Sequence, residues 1–459
     1  MTATAKPLLD AEATRKLCER VAARSPVPEV EVLVRESDQA LTRFACNEIT
    51  QNVGRRGFKM FLRIQSEGRE ASAELNQADD ASIDRAYERA MAVLRVTPRD
   101  ESLLPILSEP QDYKPVQAFD EAALTQSPAD RARAIGELTR RAAAEQVDAA
   151  GRYEVEAKVE AYYNNHGLFA FHPSSKAIFS TTITDNRHGT EGWGLRSAEG
   201  PAALDTEAAG EVAIGAALGG RDPATLQPGR FTAILKPAAV GELLLFLSRL
   251  TFGGRHFVEK RSFLAGKLGE KVVGDAITIR DNPYDPRMPG RPWDLEGVAT
   301  RAVTVIDQGT ARELCWDRRS ALRMGGDCRS TGHALQQPNT IGPRSRNIVM
   351  EGEDGVALDD LIRGTDEGLL VSRFHYCNVV NPMEVSITGM TRSGLFEIRG
   401  GEVARPVRNF RFTVNLIDLL KRVSALSAPQ RTEGALFGER FVAPALRVEG
   451  FRMTSVTEF

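Results

Sequence analysis

Residues 231–250 read FTAILKPAAVGELLLFLSRL, and the reading of this stretch decides the fold. A short apolar strand, Phe231–Leu235, meets Lys236-Pro237, and an apolar helix follows. Val240, Leu243, Leu244, Leu245, Phe246, Leu247 and Leu250 cover nearly its whole circumference. A helix that is apolar all round is buried on all sides. This one is too short for a membrane span, and Glu242 and Arg249 interrupt it. The pattern predicts the central helix of the second half of the chain.

Around that helix the second half reads mostly as strand. Expected strands are Lys271–Arg280, Val298–Asp307, Ser345–Met350, Leu369–Phe374, Leu395–Arg399, Glu402–Arg405, Phe410–Val414 and a closing Ala443–Glu449. Asn282–Pro292 is a long loop, Gly400-Gly401 a tight hairpin signal, and Ile417–Leu426 a late helix.

Toward the N-terminus, Asp10–Arg24 has helical spacing with Asp10 as N-cap, and Pro26 and Pro28 end it. Strands are expected at Glu29–Glu36, Leu41–Asn47, Phe58–Gln65 and Glu70–Leu75. Gly54 and Gly57 fall in a connection, and Glu67-Gly68-Arg69 in a hairpin turn. A helix, Ala81–Val96, closes the unit. After a proline-rich linker, Thr97–Tyr113, the same order recurs. It comprises a helix at Pro128–Gln146, strands at Tyr153–Tyr163, Gly167–His172, Ala177–Asp185 and Trp193–Ser197, and a helix at Leu204–Leu218. The expectation is an α+β protein. Residues 1–225 form an N-terminal layered α/β domain with an internal structural duplication (units about 1–97 and 114–225). Residues 226–459 form a C-terminal, mostly antiparallel β domain around a buried helix.

At 459 residues the chain can bury two or three cores. Apolar content of 42% is ordinary for a globular protein, and nothing in the net charge of −3 suggests the basic surface of a nucleic-acid binder. Five scattered cysteines form no CxxC pair, and no stretch approaches transmembrane length. The simplest reading is a cytoplasmic chain with reduced thiols.

None of the six histidines belongs to HExxH, which sets two zinc ligands on one helix face with a carboxylate base between them. His256 and Glu259 would share a helix face; an ordinary surface pair is the competing reading. His375 and Cys377 stand at strand spacing, which puts both on one face, without a partner cluster. His333 is expected in a polar loop. GxSxG is absent, and Gly253-Gly254, Gly325-Gly326 and Gly400-Gly401 match no phosphate-binding motif. From its residues alone the chain shows no complete active site.

Several segments, taken in order, resemble the TldD/PmbA family, also called modulators of DNA gyrase. Leu41–Asn52 (LTRFACNEITQN) looks like the family's LTRFANSxIHQN strand pair. Lys260–Glu270, Asp294-Leu295-Glu296-Gly297 (the D-x-EG segment) and Ser330-Thr331-Gly332-His333 follow. Val380-Asn381-Pro382 and Thr388-Gly389-Met390-Thr391-Arg392-Ser393-Gly394 resemble the NP and TGMTR segments. The resemblance implies a cytosolic zinc metallopeptidase built as a pair. TldD-type subunits carry HExxxH on a helix with a distal cysteine; TldE/PmbA-type subunits lack these ligands. Aligned on the family's helix, Leu245, Phe246 and Leu250 stand where ligand, base and ligand would be, and no cysteine occurs after Cys377. Hydrocarbon side chains can neither ligate zinc nor deprotonate water.

The resemblance therefore implies a subunit with no zinc of its own, paired with a TldD-like, zinc-holding subunit. Its sheet would hold an extended peptide by strand addition. Asn381, Pro382, Gly389, Met390, Thr391 and Arg392 would lie near peptide or partner, although Thr388–Arg392 also reads as a structural turn. Two alternatives stay open. One is a hydrolase with a relocated metal site drawn from His256, Glu259, His375 or Cys377. The other is a homodimeric peptide-binding or scaffold protein.

Overall fold

The computed structural model describes residues 8–433 and 439–457. Helix α1 (Ala11–Ala22) starts at Asp10, whose side chain accepts the Ala13 N–H. Strands β1 (Glu29–Ala45), β2 (Glu48–Ser66) and β3 (Arg69–Leu75) then form a meander, closed by α2 (Asp80–Val96). The order repeats. A short α3 (Ala122–Thr125) leads to α4 (Pro128–Ala144), strands β4 (Asp148–Asn164), β5 (Phe169–Asp185) and β6 (Thr190–Ala198), and α5 (Thr206–Gly219). A capping box between Ser127 and Asp130 fixes the start of α4.

The two meanders merge into one antiparallel sheet of order β3-β2-β1-β4-β5-β6. Each copy gives its first strand to the central seam, where Glu31 faces Asn164 and Phe44 faces Gly151. Alternation along the strands sorts the two faces. Val30, Val32 and Val34 point to the α1/α2 core, while Leu33 points to the opposite face, where Trp293 of the second half packs. The duplication and the layering follow the sequence expectation. The strands are longer than expected. Glu29–Glu36 and Leu41–Asn47 are one strand, and Gly54 and Gly57 lie inside β2. The chain reverses instead at Cys46-Asn47, both with positive φ (50° and 62°). β2 is solvent-exposed from Glu48 to Arg56, so no buried alternation marks it as strand. Likewise Gly167–His172 and Ala177–Asp185 fuse into β5 through Pro173, in the part that β6 does not reach.

The second half opens with β7 (Gly229–Leu235), α6 (Pro237–Thr251) and a short α7 (Gly254–Val258). Next come β8 (Ile279–Asp281), β9 (Val303–Asp307), β10 (Thr310–Ala311), α8 (Arg318–Met324), β11 (Ile348–Met350) and α9 (Leu358–Arg363). The chain continues through β12 (Glu367–Asn381), β13 (Ser386–Arg399), β14 (Glu402–Pro406), β15 (Phe410–Asn415) and α10 (Leu416–Lys421). It ends with β16 (Val423–Leu426), β17 (Gln430–Glu433), β18 (Arg440–Ala443) and β19 (Leu446–Val456). Strands β12-β7-β19-β15-β13 close into a small barrel because β13 pairs back to β12. A second sheet runs β10-β9-β8-β11-β18-β17. Helix α6 lies between barrel and sheet, against β12 on one side and β17 and β18 on the other. This explains its all-round apolar surface.

Several expected elements change here. Lys271–Arg280 is strand only from Ile279, because Val272 and Val273 instead donate their N–H groups to Gly309 in a packed loop. Val298–Asp307 shortens to β9. The late helix stops at Lys421, and Val423–Leu426 pairs with β19 as β16. Pro444 splits the closing strand into β18 and β19. Thr388–Arg392 is no turn but part of β13. Gly400 and Gly401 do form the tight turn, with φ of 56° and 76°.

Candidate functional site

Pro237 starts α6 at the position where a missing N–H costs nothing. Gly241 lets the helix press on the second sheet: a Cβ there would meet Thr432 at 3.2 Å and Phe441 at 3.3 Å. Leu245 is fully buried, Phe246 is 8% exposed, and Leu250 rests on the same core. These three side chains carry no oxygen, nitrogen or sulfur, so they do not fit zinc. Glu242, on the same helix, is buried near Cys377. Burial first, then the Glu242 charge, pushes the Cys377 thiol well up, so it stays protonated.

The strand pair β12–β13 gathers the other family-like residues. Asn381 and Pro382 form the hairpin end, where Asn381 Oδ1 accepts the Met383 N–H. Gly389 lets β13 press closely on its neighbours: a Cβ there would lie 2.6 Å from Cys377 Sγ. Met390 is almost wholly buried. Thr391 is buried and donates its hydroxyl to Asn409. Arg392 reaches the other half of the molecule and clamps Glu191 of β6 with Nε and Nη2 at 2.7 and 2.8 Å. Ser393 donates to the same carboxylate, and Arg373 donates to Ser393. Burial raises the Glu191 carboxyl, but these donors outweigh it and hold it below its ordinary value.

The pairs proposed for a relocated metal are otherwise engaged. A bulge at Tyr376, with φ of 55°, returns Cys377 to the buried side with Phe374 and leaves His375 half-exposed. The two do not share a face, contrary to their spacing. Just past α7, Glu259 accepts from Arg255 and Arg261 and pairs with Arg323, and these cations hold it near 2 against the opposing effect of burial. His256 is half-buried and kept neutral chiefly by burial.

The structure instead brings together Asp281, Cys315 and His333, all buried, with ligand-type atoms within 4.8 Å of one another. Among the described residues no other His, Cys, Asp or Glu group is so compact. His333 is therefore not in a polar loop of the surface. Its Nε2 lies 3.1 Å from Asp281 Oδ1, off the line of a sound hydrogen bond, and its Nδ1 is 2.8 Å from the Thr331 hydroxyl. Asp281 Oδ2 accepts the N–H groups of Arg346 and Asn347 at 2.6 and 3.1 Å. Burial raises this carboxyl, yet His333 and the two N–H donors hold it low and ionised. Cys315 is inert, its thiol pushed well up by burial. Three buried groups with no open side can fix a backbone but cannot present a water to a substrate. The Ser330–His333 segment was the sole sequence signal for this cluster. Its neighbour Asp294 acts similarly, accepting from the N–H groups of Glu296, Val298 and Ala334.

Between the first sheet and the second half lies a cavity of about 400 Å³. Its walls include His172, Glu160, Arg291, Arg344, Arg346 and Arg440. Burial, more than any neighbour, lowers His172 to about 4, so its ring is neutral.

The fold is TldE-like. The structure of TldE from Thermococcus kodakarensis superposes with a TM-score of 0.86 at 22% identity, over 96% of this chain and 99% of that one. Residues 228–455 match the PmbA/TldA metallopeptidase C-terminal domain. The metalloprotease PmbA of Escherichia coli O157:H7 is 21% identical over 415 residues, 85% of each chain. A metalloprotease of Methanothermobacter thermautotrophicus is 23% identical over 203 residues, and the match spans only 44% of either chain. The chain belongs to the TldD/PmbA family.

Proposed function

We infer that the chain is a TldE/PmbA-type, non-catalytic subunit of a two-subunit zinc metallopeptidase acting on unfolded or modified peptides in the cytoplasm. The observation that carries this reading is the packing of α6. Leu245 and Phe246 fill the core where the family's helix would carry ligand and base, and Leu250 closes the row. Zinc then belongs to a HExxxH-bearing partner. This chain would contribute partner contacts and an edge for the extended peptide, with the division between its two domains at residues 225/226. The exposed apolar end of the β12–β13 hairpin, with Tyr376, Val380 and Met383, suits such contacts next to Asn381 and Pro382. Among the described residues no helix is long and apolar enough to cross a membrane.

The reading is tested by co-expression with a HExxxH-bearing relative. The two chains are expected to co-purify, with zinc at one per pair and peptidase activity only in the pair. Stoichiometric zinc and activity in this chain alone, both lost in His333→Ala or His256→Ala, would replace it with a self-sufficient hydrolase. Failure to co-purify, with a stable homodimer, would favour a scaffold protein.

A further inference from the structure

The cavity between the two halves has a charge imbalance that its own walls do not resolve. Six cationic side chains line it against four carboxylates. The carboxylates are largely claimed. Glu160 holds Arg35, Lys158 and Arg291 at 2.7, 3.2 and 3.1 Å. Glu199 holds Arg431 and Arg440 at 2.7 and 3.3 Å. Glu439 pairs with Arg249. Arg344 and Arg346 have no carboxylate within 4.0 Å among the described residues. Arg346 Nη2 makes one long contact, 3.4 Å, with the Ala334 carbonyl.

Arg291 adds the independent observation. Its side chain is 9% exposed, and it lines the cavity. Nε donates to the Trp293 carbonyl and Nη1 to Glu160, but Nη2 is buried without a hydrogen-bond partner. A buried, unmet guanidinium donor is costly. Burial, then the nearby Arg346 charge, lowers Arg291 to about 9, although Glu160 pulls the other way.

The arrangement is also built, not incidental to mobile surface chains. Asp281 grips the backbone N–H of Arg346 and Asn347, and the Arg344 N–H donates to the His333 carbonyl. The buried Asp281–His333 pair thus buttresses the segment that presents both free arginines. Stacking of Arg291 over the Trp293 ring, 4.4 Å to its centroid, fixes the third. Planar guanidiniums converging on one space match the geometry of an oxyanion.

We propose that the Arg291–Arg344–Arg346 cavity binds an oxyanion, the carboxylate of an acidic peptide or a free phosphate. A cavity of this size lies within the range of small-ligand sites. The proposal goes beyond the subunit reading and does not rest on it, since it concerns this chain alone.

Isothermal titration calorimetry on the full chain tests it. The probes are inorganic phosphate, an acidic peptide with a free C-terminus, and the same peptide with its carboxylates amidated. One saturable site is expected, weakened about ten-fold in Arg346→Gln and again in Arg344→Gln, for the loss of one charge-assisted contact each. Both side chains reach the cavity surface, so both variants keep the wild-type melting temperature, whereas Arg291→Met can disturb folding. Binding of phosphate alone assigns the source as a free anion. Binding of the free but not the amidated peptide assigns a peptide carboxylate. Either outcome supports the site. No saturable binding of any probe, or wild-type affinity in both Arg344→Gln and Arg346→Gln, overturns it.

Discussion

Arg392 holds Glu191 through two hydrogen bonds, although 201 residues separate them in the chain. The pair ties β13 of the barrel to β6 of the first sheet, and Ser393 and Arg373 extend it on the barrel side. A segment expected near peptide or partner thus also fastens the two halves of the molecule together.

Removing one end of that fastening leaves a half-buried carboxylate short of donors. Arg392→Ala is expected to cost about 2 kcal/mol, less than a fully buried pair because solvent reaches part of it. Urea denaturation measures it. A double-mutant cycle with Glu191→Ala isolates the coupling, which should exceed the few tenths typical of distant sites. An additive cycle would mean that the clamp contributes nothing.

Truncation on α6 separates packing from chemistry. Leu245→Ala opens a cavity in the central core and is expected to destabilise by about 3 kcal/mol. The metal content of the isolated chain should not change, which elemental analysis would establish. Loss of a bound metal on this substitution would contradict the packing role.

Acid sensitivity should carry a signature of His172. Its ordinary value of 6.5 falls to about 4 in the fold. Between those pH values the unfolded chain binds a proton that the folded chain refuses. Stability is therefore fully present above pH 6.5 and is lost as pH falls toward 4, by up to about 3 kcal/mol. His172→Gln should flatten the stability profile in that window and leave it unchanged above pH 7. An identical slope in the variant would show that carboxylates alone set it.

The buried Asp281–His333 pair gives a fourth expectation. His333→Ala takes the imidazole away from a buried, ionised carboxylate and opens a cavity beside it, a loss of about 3 kcal/mol. Asp281→Asn with His333→Ala should recover part of it, and thermal melts of the three variants would read this directly.

What could be read from the sequence follows from the range of the forces. The apolar circumference of 240–250 announced a buried helix because burial of a helix depends on its own periodicity. The repeated helix–strand–helix order likewise revealed the duplication. Strand lengths were misread where exposure removes the alternation, as in Glu48–Arg56, and where Pro173 and paired glycines mimic breaks. The site was less legible still. Asp281, Cys315 and His333 meet only through tertiary packing, and their spacing of 34 and 18 residues encodes no local geometry. The bulge at Tyr376 reversed the facing of His375 and Cys377, and a single positive φ is invisible to a period-two argument.

The central claim is that this subunit carries no peptidase chemistry and supports a partner that does. The most direct measurement is peptidase activity on an unfolded peptide with the purified chain alone, the HExxxH-bearing partner alone, and the two mixed at equal concentration. The account predicts no turnover by this chain, zinc-dependent turnover by the mixture, and no effect of Leu245→Gln or Phe246→Leu on the catalytic zinc. Metal-dependent turnover by this chain in the absence of any partner would contradict it.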